Sequence, residues 1–128
     1  MKPHYFTLDE ANAALDIIRP LIDEILGIRD DILARRPDVW PVIERSAGNG
    51  GNATLSKMAV DFERLDRLVH RVLDTGVQVK DINTGLLDFP ALRGDHEVYL
   101  CWKHGEERIG YWHEVDAGFS GRQPIEDF

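Results

Sequence analysis

The residues best equipped for chemistry lie in the last third of the chain: Asp81, Asp88, Cys101, His113 and Arg122. Asp81 and Asp88 flank a turn at Asn83-Thr84-Gly85. If short strands pair around Thr84-Gly85, the two carboxylates face each other, close enough to share a proton or hold a hard cation. The plainer role is turn capping, the commonest task of aspartates beside a glycine turn. Arg122 ends the glycine-rich run Gly118-Phe119-Ser120-Gly121. Such loops bring backbone amides and a guanidinium onto a small anionic ligand. A closing ion pair to Asp116 or Glu114 explains the same residue without a ligand.

Cys101 is the only cysteine, so the chain forms no internal disulfide and builds no zinc site from several of its own thiolates. Lys103 or Arg108 beside it would activate the thiol, whereas packing would leave it inert. No Ser-His-Asp order, HExxH, Walker loop or dinucleotide fingerprint occurs, so the sequence names no reaction, metal or cofactor.

The elements that must position these residues divide the chain in two. Thr7 and Glu10 form a capping box, and Leu8, Ala11, Leu15, Ile18, Ile22 and Ile25 follow at helical spacing. Ala14, Ile17, Leu21 and Ile28 add a second stripe, an apolar face wider than one partner helix buries. Pro20 predicts a kink without a stop, because the period runs through it. Arg35-Arg36-Pro37 ends the helix, and Trp40, Val42 and Ile43 suggest a short helical or irregular segment. Residues 47–52, rich in glycine, read as a flexible connector, since no strand or Walker spacing supports a phosphate cradle. Leu55, Met58, Phe62, Leu65, Val69 and Val72 make a second helix, closed by Gly76 and expected to pack antiparallel to the first.

From Val77 the period changes to two. Leu86 to Phe89 reads as a strand stopped by Pro90, and Glu97–Lys103 and Arg108–Val115 as a hairpin. A two- or four-residue loop pairs Lys103 with Arg108. Val98, Leu100, Trp102, Ile109, Tyr111, His113 and Val115 then face the helices. Tyr99, Cys101, Lys103, Arg108, Gly110, Trp112 and Glu114 face outward. In that register His113 is a partly desolvated imidazole suited to act as base or ligand, or a core histidine bonded to a carbonyl. A Cys101–His113 couple is excluded, and Tyr99 and Trp112 form an outer aromatic surface. The expected fold is a single α+β domain over residues 1–128, with a helical hairpin at 1–75 and a small antiparallel sheet and tail at 76–128.

Composition sets the remaining bounds. A chain of 128 residues, 43% hydrophobic and 30% charged, has the make-up of one folded domain. Its formal charge of −8 argues against nucleic-acid binding, which needs a dense basic face. Charged residues interrupt every apolar stretch before a bilayer could be crossed, and Met1–Thr7 lacks the pattern of a signal peptide. The cytoplasm is the expected setting.

Several segments also carry a family resemblance: Val79-Lys80-Asp81, Gly85-Leu86-Leu87-Asp88-Phe89-Pro90, Glu97 through Trp102, Tyr111-Trp112-His113-Glu114 and Asp116 through Pro124. The chain resembles a bacterial family of uncharacterised proteins grouped as domain of unknown function 2203. That resemblance implies a small intracellular protein and brings no activity or site residue with it. Two functional expectations stand side by side. One is an interaction or assembly module, a homo-oligomer such as a dimer, contacting through Tyr99, Cys101 and Trp112. The other is a small-molecule- or metal-binding protein, or a minor enzyme, with a site near Asp81, Asp88, His113 and Arg122.

Overall fold

Thr7 starts the first helix as the spacing predicts. Its hydroxyl accepts from the Glu10 amide and the Glu10 carboxylate accepts from the Thr7 amide, so both halves of the capping box form. The computed structural model describes residues 4–48 and 59–128. Helix α1 spans Leu8–Arg35 and runs unbroken through Pro20. Helix α2 spans Trp40–Ser46 and α3 spans Ala59–Leu73. Leu55, Met58 and residues 49–52, which figure in the expected second helix and connector, lie outside the described residues.

α1 and α3 pack antiparallel. Arg35 at the end of α1 meets Asp61 at the start of α3, and Gly76 beyond α3 sits against His4 and Phe6 at the start of α1. The wide apolar face of α1 is used on two sides: Leu21, Ile28 and the first stripe from Ala11 to Ile25 are buried, Leu8 is half-buried, and Ile17 alone of the second stripe stands well out. No helix among the described residues is long and apolar enough to cross a membrane.

Five antiparallel strands form one sheet in chain order: β1 Gln78–Asp81, β2 Leu86–Arg93, β3 His96–Lys103, β4 Tyr111–Glu114 and β5 Gln123–Pro124. The chain is thus α+β. β2 does not stop at Pro90 but continues through it to Arg93. The Pro90 carbonyl points away from β3, where it accepts from the Phe6 amide at 2.7 Å. Within a strand a residue's nitrogen and carbonyl point the same way, so the missing N–H removes nothing from the β2–β3 ladder.

The larger correction concerns the β3–β4 register. Observed pairs are Val98–Glu114, Tyr99–His113, Leu100–Trp112 and Cys101–Tyr111. This is one residue away from the expected pairing of Val98 with His113 and Cys101 with Gly110. β4 begins at Tyr111, and the connection from β3 runs over residues 104–110, longer than any tight turn. Side chains hold it open: the Trp102 indole donates to the Glu106 carbonyl, Glu106 accepts from the Lys103 amide, and Asn12 accepts from the Ile109 amide. A one-residue slip exchanges the faces of every following side chain. Trp112 therefore joins Leu100 and Trp102 in the core, with Leu87, Phe89, Ala91 and Val98. His113 turns to the opposite face, with Tyr99 and Cys101.

Candidate functional site

β2 and β3 pair Asp88 with Cys101, and β3 and β4 pair Tyr99 with His113. Alternation then brings Asp88, Cys101 and His113 to the middle of the sheet face that the helices leave uncovered. The three are almost wholly buried, at 3%, 0% and 2% exposure. Their nearest ligand atoms (a carboxylate oxygen, the thiol sulfur and an imidazole nitrogen) all lie within 4.8 Å of one another. The Cys-His couple excluded from the sequence is thus present in space.

The proton inventory follows from the partners. His113 Nδ1 stands 2.7 Å from the Glu114 carbonyl, which only accepts, so Nδ1 carries a hydrogen. Nε2 stands 2.9 Å from Asp88 Oδ1. A hydrogen bond there needs one more proton, held between imidazole and carboxylate. The Cys101 sulfur lies within 4.8 Å of the Asp88 carboxylate. Burial first, then the Asp88 carboxylate, pushes the thiol up to about 12, against a smaller opposing pull from Arg122. Metal-free Cys101 is accordingly a thiol and a poor nucleophile.

A cavity of about 250 Å³ opens onto the cluster, walled by Leu86, Val115 and Phe119 with Lys80 and Asp116 at its mouth. A groove of about 300 Å³ beside α1, lined by Asn12, Asp16, Arg19, Glu107 and Arg108, has no such chemistry. Its Asn12 and Arg19 hold the 104–110 connection, Arg19 through the Glu107 carbonyl.

The other expected site residues are distributed differently. Asp81 lies opposite Leu86, not Asp88, and caps its turn by accepting from the Asn83 amide at 2.9 Å. The expected Asp81–Asp88 pair does not form, because the β1–β2 register sets Gln78 opposite Asp88 and leaves Asp81 three residues beyond it. Arg122 forms an ion pair, with Glu106 at 2.7 and 2.8 Å in place of Asp116 or Glu114. Its guanidinium lies between the Tyr111 ring at 3.9 Å and the Phe119 ring at 4.7 Å, and reaches the Cys101 carbonyl at 3.4 Å. It secures the loop that walls the cavity. Trp112 is buried beneath Arg93 and beside Phe128, so it offers no outer surface. Tyr99 is 8% exposed, its ring 5.5 Å from that of His113 and covered by Lys80. The expected aromatic surface is therefore closed within the chain.

One sequence signal points to the observed register. A strand offering Trp112 and His113 to a core already holding Leu100 and Trp102 buries more apolar area by turning the tryptophan inward.

Fold and cluster together define an α+β protein with a buried carboxylate–thiol–imidazole centre under a small cavity. The chain belongs to the family described as uncharacterized conserved protein (DUF2203), whose family model matches residues 4–125. Neither a curated protein nor a solved structure matches it.

Proposed function

We propose that the protein binds one divalent transition-metal ion of the zinc type through Asp88, Cys101 and His113. The carrying observation is that three ligand types favoured by zinc converge within 4.8 Å at the floor of a cavity. Three protein ligands leave a fourth position toward the cavity, the arrangement of zinc sites that take up water or substrate. Glu114 would act behind His113, since its carbonyl already fixes the Nδ1–H tautomer and leaves Nε2 for the ion. A thiolate ligand that must stay reduced fits the cytoplasm, the compartment we infer.

Titration with Co²⁺ tests this, because a thiolate–cobalt bond gives an intense charge-transfer band. One ion per chain is expected, with the band absent in Cys101→Ser and binding lost in Asp88→Asn. Absence of the band in a folded wild-type protein would remove the proposal.

Self-association is a second reading, favoured by Ile17 and Val60, exposed at 66% and 80%. Val60 and Glu24 line one groove, and Glu24 continues the α1 stripe of Ile17. Sedimentation velocity at micromolar concentration decides it: a dimer that dissociates on dilution supports the reading, and a monomer at every concentration ends it.

A further inference from the structure

A metal held by one thiolate, one carboxylate and one neutral imidazole forms a unit with no net charge. The specificity of its open position then depends on the cavity mouth, where Lys80 and Asp116 stand exposed on the rim. Among the described residues neither pairs with an opposite charge, and Lys80 only covers the Tyr99 ring, 4.9 Å from its centroid. The mouth thus offers one cation and one anion over apolar walls of Leu86, Val115 and Phe119. A dianion such as phosphate would meet a neutral metal unit and the Asp116 carboxylate. A simple monocarboxylate would satisfy Lys80 and leave Asp116 facing its apolar end. The volume, about 250 Å³, lies below that of drug-sized ligand pockets.

Building on the metal reading above, we infer that the site takes a small amphoteric molecule of the amino-acid class. Its carboxylate occupies the open coordination position on the Lys80 side, its ammonium group faces Asp116, and a short apolar body lies against Val115 and Phe119.

The test uses the Co²⁺-loaded full chain, its thiolate–cobalt band, and probes of increasing length: glycine, β-alanine and 4-aminobutanoate. Each is compared with the alkanoate and the alkylamine of the same carbon number. An exposed ion pair supplies a modest preference, so the best amino-carboxylate should bind about five-fold more tightly than its alkanoate. Asp116→Asn should abolish that preference and leave alkanoate binding unchanged, whereas Lys80→Gln should weaken both. Both residues are exposed, so neither change endangers the fold. Equal binding of alkanoate and amino-carboxylate, a preference for the alkylamine, or a band indifferent to every probe would overturn the inference while leaving the metal site standing. A protein that gives no cobalt band would sink both.

Discussion

Tyr99 lies directly across the β3–β4 ladder from His113, and this pairing sets the imidazole beside Asp88 and above Cys101. The Tyr99 ring shields the imidazole, while Lys80 covers the tyrosine in turn. A histidine and an aspartate buried this fully persist only when each satisfies the other. Their contact at 2.9 Å does so, and it leaves the thiol as the third member of a prepared set.

Replacing the carboxylate separates metal binding from folding. In Asp88→Asn the amide donates to His113 Nε2, keeping the buried hydrogen bond and the shape of the residue. The fold should persist in near- and far-ultraviolet circular dichroism. Metal affinity should fall by more than about 100-fold, beyond what the loss of a supporting contact causes. Retention of full affinity would mean that the ion sits elsewhere.

Metal binding should displace two protons per ion near neutral pH. One comes from the Cys101 thiol and one from the hydrogen bond between His113 and Asp88, while His113 Nδ1 keeps its hydrogen and donates it to the Glu114 carbonyl. Calorimetric titration with Zn²⁺ in buffers of different ionisation enthalpy counts them directly. A count near one would leave the thiol protonated and uncoordinated.

Cys101 also predicts a reactivity and a pH trend in the metal-free protein. Its thiol is raised from 9.0 to about 12, which lowers its thiolate fraction near pH 8 about a thousand-fold relative to the unfolded chain. Alkylation by iodoacetamide should be correspondingly slow until denaturant is added. Because the folded form holds this proton more tightly than the unfolded form, the stability it contributes is fully present below pH 9. It is lost as pH rises from 9 toward 12. Urea midpoints across that window measure the decline, and Cys101→Ala should flatten this component.

The helices were legible because their signals are local. Thr7 and Glu10 cap within one turn, and the α1 stripe keeps its period through Pro20. The candidate centre was legible only in its members, since Asp88, Cys101 and His113 stand out by residue type. Their meeting depends on the connection over residues 104–110, whose length is fixed by distant contacts such as Asn12 with the Ile109 amide. No local turn rule contains that contact. A tight-turn assumption therefore misplaced β4 by one residue and separated a cysteine and histidine that share a face. Pro90 misled in the same way: its tolerance depends on the side of β2 that Phe6 occupies.

Gly85 joins the two halves of the fold at one point and gives a quantitative test of their packing. Its φ is +69°, and an added Cβ would stand 2.7 Å from His104 Cβ and 3.1 Å from Ile22 Cγ2. Its carbonyl accepts from the His104 amide at 3.0 Å, so the turn cannot swing away without losing that bond. Gly94 has nearly the same φ, +68°, with nothing within 4 Å of the added carbon. Gly94→Ala should therefore cost about 1 kcal/mol, the backbone effect alone. Gly85→Ala adds steric conflict against α1 and should cost about 3 kcal/mol, lowering Tm by roughly 10 °C. Equal losses in the two variants, measured by urea unfolding, would mean that the turn before β2 does not press on Ile22 as the structure has it.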